Sequence, residues 1–294
     1  MQTIMEKTRK KVGLALGGGG ARGFAHIGII KALNDLGIPI DFIAGTSMGA
    51  IIGGLYALTE SVESIESKIK GLEGKNLKLV NAIAGKSAKP IAKNQSMLKT
   101  IDEFFGDAKF EDCPVPFKAV ATDLKTGDEM SLDQGLMAPA VKASAAIPMI
   151  FQPVEIDGKL LVDGGLARPI PADVVKQMGA DVVIAVDVSA KWVDISADLT
   201  KGIGWQGFYS VLSNMLAAMN QQISKEILKN NADITLRPAV TGYDWLRFGN
   251  PEDIIASGYR EAYSQKALIF EKTGYEPSAK TGLQIFLDFL FGLD

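Results

Sequence analysis

The stretch that most restricts how this chain can fold is Gly45-Thr46-Ser47-Met48-Gly49, set between the largely apolar run Ile40 to Ala44 and the apolar segment Ala50 to Leu58. The pattern predicts a strand, a sharp turn and a helix. A serine at the apex of such a turn sits on a strained backbone with its hydroxyl thrust outward. Glycines two residues before and two after, Gly45 and Gly49, let strand and helix close without a clash. The helix that begins there aims unpaired N–H groups and its positive dipole end at the same spot, which favours an anion beside the serine. A glycine-rich connection without chemistry would carry the same five residues, so the rest of the chain has to decide.

Val12 to Leu16 reads as a short buried strand, followed by Gly17-Gly18-Gly19-Gly20-Ala21-Arg22-Gly23 and a helix from Phe24 to Leu33. Gly18-x-Gly20-x-x-Gly23 fits the dinucleotide fingerprint, but that fold ends its second strand on an acid that holds the ribose. Here Asp41 begins the second strand, and Gly45 with the serine turn stands at its end. Consecutive glycines have another use: they bare backbone N–H groups near a developing negative charge, which makes an oxyanion hole.

A serine nucleophile also needs a base. His26 is the one histidine of the chain; it lies three residues past Gly23 and precedes the serine, which rules out the order Ser…Asp…His. Sequence order does not forbid contact in space, but helix packing accounts for His26 without chemistry. Three aspartates end predicted strands, Asp123, Asp163 and Asp187, and strand C-termini of open α/β sheets are where ligands bind. Among these, Asp163 alone is followed by two glycines, Gly164 and Gly165, which allow close backbone approach.

The charge balance excludes other classes of function. Lys and Arg total 31 against 34 Asp and Glu, a net charge of −3, so no global field draws in nucleic acid or an anionic membrane. Cys113 is the sole cysteine, which removes an internal disulfide and a cysteine metal cluster and reads as a small buried apolar residue. Lys7 to Lys11 followed by Val12 to Leu16 imitates a signal peptide, but the glycines and Arg22 interrupt the apolar part short of the ~7–15 residues an h-region needs. No uninterrupted apolar run reaches the ~18 residues of a transmembrane helix. The expectation is a soluble cytoplasmic protein.

Further along, Ser61 to Lys70 predicts an exposed helix, residues 71–93 a loose connection, and Ser96 to Phe105 a helix packed through Met97, Leu98, Ile101, Phe104 and Phe105. Phe117 to Asp123 reads as a strand paired with Glu129 to Leu132 across Gly127-Asp128. Leu136 to Ala146 is a small-residue helix, ended by the proline-bounded run Ile147 to Pro153, which serves as cleft wall or plain core. A hairpin turn at Ile156 to Leu160 leads into strand Leu160 to Val162, and Ala180 to Asp187 is a buried parallel-type strand. A helix over Gly207 to Leu228, a strand at Ile234 to Leu236 and a helix over Pro251 to Phe270 follow. The tail from Gly282 to Asp294 is dense in Leu, Ile and Phe, which suits packing, a subunit contact in a homo-oligomer, or insertion at a membrane surface. Strands alternating with helices give an α/β fold: a three-layer α/β/α sandwich with a mostly parallel central sheet.

Taken in order, Gly18-Gly19-Gly20-Ala21-Arg22-Gly23, Gly45-Thr46-Ser47-Met48-Gly49 and Asp163-Gly164-Gly165 resemble the patatin-like phospholipases, the bacterial branch in particular. The resemblance runs from about Val12 to Ser189, through Ala121-Thr122-Asp123-Leu124 and Ala167-Arg168-Pro169-Ile170-Pro171. It implies Ser47 as nucleophile, Asp163 as general base in a Ser–Asp dyad, and the backbone of Gly18, Gly19 and Gly20 as oxyanion hole, with Arg22 at the family's basic position in that loop. It implies no cofactor and no metal, and a lipid acyl ester as substrate, met at the periphery of a membrane. The expected organisation is a basic extension over 1–11, a catalytic core over 12–189, a helical part of the same domain over 190–280, and the apolar tail over 281–294. Two other functions fit the same pocket: a lipid-binding or regulatory protein with negligible turnover, and an acyltransferase.

Overall fold

The computed structural model describes residues 9–70, 96–148, 150–189, 205–243 and 251–276. Its first strand, β1 (Val12–Leu16), is buried on both faces and sorts its residues by size: Leu14 and Leu16 face one apolar cluster, Ala15 the other. A strand buried on both faces must sit in the middle of a sheet with helices above and below. The chain supplies them. After β1 come α1 (Ala25–Asp35), β2 (Phe42–Thr46), α2 (Met48–Thr59), α3 (Val62–Lys70) and α4 (Ser96–Phe105). Then follow β3 (Phe117–Asp123), β4 (Glu129–Leu132), α5 (Met137–Ser144), β5 (Val154–Ile156), β6 (Lys159–Asp163), α6 (Ala172–Gln177) and β7 (Val182–Val186). The last are α7 (Trp205–Asn231), β8 (Ile234–Leu236), α8 (Pro251–Ser264) and α9 (Lys266–Thr273).

The eight strands form one sheet in the order β5-β6-β3-β2-β1-β7-β8, with β4 paired to β3 off this path. β3, β2, β1, β7 and β8 run parallel, whereas β4 and β6 pair antiparallel with β3 and β5 pairs antiparallel with β6. One face carries Leu14, Leu16, Ile43, Ile184 and Val186 against α1, α2 and α8. The other carries Ala15, Ala44, Val183 and Ala185 against Val174 and Val175 of α6 and Leu228 of α7. Small residues on that second face admit a close helix: a Cβ on Gly13 would lie 2.1 Å from a Val175 methyl. The result is the expected three-layer sandwich with a largely parallel sheet.

The chain leaves β1 toward β2 and β3 on one side, and later returns to place β7 and β8 on the other. β1 and β7 therefore flank the switch point, where loops at strand C-termini part and leave a crevice. The glycine loop follows β1, Ser47 follows β2, and Val188 follows β7, so all three meet there.

Several boundaries differ from the sequence reading for physical reasons. Residues Gly20 to Phe24 form a tight 3-10 turn before α1 begins at Ala25, because Gly20 takes the left-handed conformation (φ 56°). The single helix expected over Pro251 to Phe270 breaks at Gln265, whose backbone (φ −97°, ψ 11°) leaves the helical region; α9 then buries Ile269 and Thr273. Cys113 is half-buried rather than a core residue, with its sulfur 3.6 Å from the Met137 sulfur. The connection at 71–93, the side chains of Met97 and Leu98, and the tail at 281–294 lie outside the described residues. So do residues 1–8 of the basic extension; Arg9 is tied to Asp41 and Tyr275, and Lys10 to the Lys272 carbonyl.

The tightest helix contact lies outside the sheet. α1 and α8 cross in backbone contact, where a Cβ on Gly28 would sit 1.9 Å from the Ile255 carbonyl oxygen and one on Gly258 would sit 2.0 Å from that of Ala25. Gly28→Ala must push the helices apart. We expect it to lower the free energy of unfolding by about 3 kcal/mol, the upper end of the usual overpacking range, since backbone rather than a rotatable side chain must yield. Gly242→Ala, where nothing lies within 4 Å of the new Cβ, is the control and should stay within about 0.5 kcal/mol. Equal denaturation midpoints for Gly28→Ala and wild type would contradict this packing.

Candidate active site

The turn after β2 has the backbone its sequence demanded. Ser47 sits at φ 56°, ψ −120°, a conformation that L residues avoid, at a cost on the order of 1–3 kcal/mol. Its flanking glycines are required by contact: a Cβ on Gly45 would lie 2.3 Å from the Gly49 oxygen, and one on Gly49 would lie 2.1 Å from the Leu16 oxygen. Ser47 is followed at once by α2, and its carbonyl accepts from Ala50 (2.9 Å) and Ile51 (3.2 Å). The turn is further held by the Thr46 hydroxyl, which donates to the Arg168 carbonyl at 2.7 Å.

Strand register brings the carboxylate to this serine. Along β3, Val120 stands opposite Thr46 of β2 and the next residue, Ala121, stands opposite Asp163 of β6. Asp163 thus enters the sheet one position beyond Thr46, level with the point where the chain leaves it at Ser47. The Asp-Gly-Gly sequence makes this approach feasible, since a Cβ on Gly164 would sit 2.1 Å from the Val120 oxygen. The Gly165 N–H donates to the Asp163 carboxylate at 2.8 Å. Burial pushes the Asp163 carboxyl up to about 6, and hydrogen bonds from the Ser47 side chain and the Gly165 N–H hold it from rising further. A carboxylate poised there is a competent proton acceptor near neutral pH.

The glycine loop closes the third side. Gly18 packs on the serine so closely that a Cβ added to it would lie 3.3 Å from the Ser47 Cβ. Gly17 N–H donates to the Val186 carbonyl (3.1 Å) and Gly18 N–H to the Pro169 carbonyl (3.0 Å). The Gly18 donor is committed, and Gly19 and Gly20 follow it at the start of the 3-10 turn. A side chain on Gly19 would collide with Val188, 2.7 Å from a methyl. Arg22 is buried and its Nε donates to the Tyr243 carbonyl at 2.7 Å, tying the loop to the segment after β8.

The remaining candidates serve other ends. His26 is fully buried, its Nε2 donating to the Gly17 carbonyl at 2.8 Å, and burial lowers its pKa to about 4. It braces the base of the glycine loop as a neutral ring. Asp187 accepts from the Ser189 N–H and hydroxyl and pairs with Arg237 (3.3 Å). Asp123 accepts from the Lys125 N–H at 2.8 Å in the turn toward β4. Among the described residues, no three His, Cys, Asp or Glu side chains gather as metal ligands would, and no helix is long and apolar enough to cross a membrane. The run Ile147 to Pro153 carries buried Ile150 and Phe151, while Met149 lies outside the described residues.

Sequence reasoning missed Ser144 and Ala146 at the end of α5. The buried Ser144 hydroxyl accepts from the Ser47 N–H (3.0 Å), and the Ala146 carbonyl accepts from the Asp163 N–H (2.9 Å). The one available signal was a hydroxyl isolated among alanines on a helix with no polar face.

Comparison with known proteins fits this geometry. The family model for patatin-like phospholipases matches residues 14–176, more than half of the chain and the span that holds the glycine loop, Ser47 and Asp163. An uncharacterized NTE family protein of Mycobacterium bovis is 39% identical over 180 residues, covering 61% of this chain and 49% of that relative. Lysophospholipase nte1 of Aspergillus fumigatus is 32% identical over 275 residues, covering 85% of this chain but 18% of the relative. The chain therefore spans half or less of the length of these curated relatives. Among solved structures, VipD from Legionella pneumophila shares the fold, with a TM-score of 0.53 at 15% identity over 88% of this chain and 67% of that one. Motifs, topology and the family match agree: the chain belongs to the patatin-like phospholipase family, whose members act on lipids as hydrolases.

Proposed function

We propose that this chain hydrolyses lipid acyl esters of the phospholipase A or lysophospholipase type through a Ser47–Asp163 dyad. The observation that carries the reading is the strained turn that sets Ser47 beside the buried Asp163, whose carboxyl the Ser47 side chain helps hold down. Asp163 takes the Ser47 proton as Oγ attacks the acyl carbonyl. The N–H groups of Gly19 and Gly20 stabilise the resulting oxyanion beside the buried Ser47 and Asp163. Asp163 then returns the proton to the leaving alcohol, and water, deprotonated by the same carboxylate, releases the acid from Ser47. No step needs a metal or cofactor. The lysophospholipid class is taken from the name of the Aspergillus fumigatus relative, of which this chain covers 18%.

Incubation with lysophosphatidylcholine, followed by mass spectrometry of the lipid extract, tests the reading. Free fatty acid in proportion to enzyme supports it. Binding without turnover would favour a lipid-binding protein, and an acyl group moved to an added alcohol would favour a transferase.

The pH profile is a second check. The base must be ionised to accept the proton, so kcat/KM should fall about tenfold per pH unit below the free-enzyme pKa of the base. With Asp163 raised to about 6 the limb should lie near pH 6. Were His26 the base, held neutral down to about 4, the limb would lie near pH 4.

A further inference from the structure

The strained turn at Ser47 breaks the hydrogen-bond ladder between β2 and β3 at a definable rung. In that ladder the Ile43 N–H donates to the Pro116 carbonyl (3.0 Å), and parallel pairing repeats such bonds every second residue. Gly45 to Lys118 is the next in the series, and Ser47 to Val120 the one after. Those last two atoms are joined through a third group: the Ser47 N–H donates to the Ser144 hydroxyl at 3.0 Å, and that hydroxyl donates to the Val120 carbonyl at 2.6 Å. We propose that Ser144 is a positioning residue whose hydroxyl replaces the missing rung and holds the nucleophile's backbone in its catalytic conformation.

The roles of the two bonds are fixed by chemistry. A backbone N–H can only donate, so the hydroxyl must accept from Ser47 and spend its own proton on Val120. Without the hydroxyl, a buried N–H and a buried carbonyl would both lose their partner, and the strained Ser47 peptide would gain room to relax toward an ordinary strand geometry. The rung also sits where the sheet changes hands, since Val120 is the last β3 residue opposite β2 and Ala121 the first opposite β6. Two residues after Ser144, the Ala146 carbonyl takes the Asp163 N–H at 2.9 Å. The C-terminal end of α5 thereby holds both members of the dyad by their main chains, and Ser144 sets the separation on the nucleophile's side.

The inference rests on Ser47 acting as the nucleophile, and the test separates the two. Wild type, Ser144→Ala and Ser144→Thr are titrated with an alkyl fluorophosphonate, and kcat and KM for a short soluble acyl ester are expressed per labelled site. If wild type takes no label, the reading of the site fails. If it does, Ser144→Ala should lower kcat and the labelling rate by about 10–100-fold with KM within about threefold, as expected when a buried pair loses its bridge and only the transition state feels the shift. The acid limb of kcat/KM should hold or move up, because Asp163 keeps its burial and its bonds to Gly165 and Ala146 while the contact from the Ser47 side chain weakens. Ser144→Thr retains the hydroxyl and should recover most of the rate. Full kcat per site in Ser144→Ala, even with a lowered Tm, would make the residue merely structural and overturn the proposal, as would equal losses in both variants. Should neither variant fold, amide exchange in the unaltered protein decides: the Ser47 N–H should exchange as slowly as the β2 ladder amides, and exchange at once on dilution into deuterium overturns the bridge.

Discussion

Ser47→Ala protein should lose turnover by a factor on the order of 10⁶, the scale set by removing the nucleophile in serine hydrolases generally, because no other group can take its place in the covalent step. Ser47 is 7% exposed and its hydroxyl is the group engaged with the buried carboxylate. The fold should survive, since alanine removes one oxygen and relieves nothing on which the turn depends: the flanking glycines, the Ser144 bond to the main-chain N–H and the start of α2 all remain. Activity against lysophospholipid and against a short chromogenic ester should vanish together, with circular dichroism unchanged. Turnover within tenfold of wild type would assign the chemistry elsewhere.

Asp163→Asn should lower kcat by roughly 10²–10⁴, the usual worth of a general base. An amide matches the carboxylate in shape and can still accept from the Gly165 N–H, so the loss reports the missing basicity. His26→Gln should cost less than about tenfold, because the amide N–H of glutamine can replace the Nε2 donor to Gly17 and no proton transfer passes through the ring. Asp123→Asn and Asp187→Asn should likewise leave kcat near wild type, given that their carboxylates hold the Lys125 N–H and Arg237. A large loss in His26→Gln with a small one in Asp163→Asn would reverse the assignment and restore a histidine base.

What the sequence made legible follows from which interactions are local. Strand-turn-helix at Gly45 to Gly49 is dictated by sterics within five residues, and it appears in the structure where the glycines put it. Strands buried on both faces announce themselves as continuous apolar runs, and β1 and β7 fall where those runs lie. Contacts between distant segments leave weaker traces. Asp163 stood out among three strand-ending aspartates through its glycines, yet its closeness to Ser47 depends on β6 running antiparallel to β3 in a register that no local pattern encodes. Ser144 left almost no mark, since one hydroxyl in an alanine-rich helix acquires a purpose only when the elbow removes a rung elsewhere. The Gly18 N–H, expected as a donor to the oxyanion, is spent on Pro169, and only the loop's tertiary path shows this. The break at Gln265 is another tertiary effect, set by the need to bury Ile269 rather than by any helix-breaking residue.

The dyad makes one demand that neither packing nor fold membership imposes, namely that a single hydroxyl out of all the serines in the chain be activated toward an electrophile. Intact-mass analysis after treatment with an alkyl fluorophosphonate, with peptide mapping of the adduct, reads this directly. Wild type should gain one phosphonyl group, on Ser47, while Ser47→Ala protein gains none and Asp163→Asn protein gains it far more slowly. An adduct on any other residue, or undiminished labelling of the Ser47→Ala protein, would contradict the account.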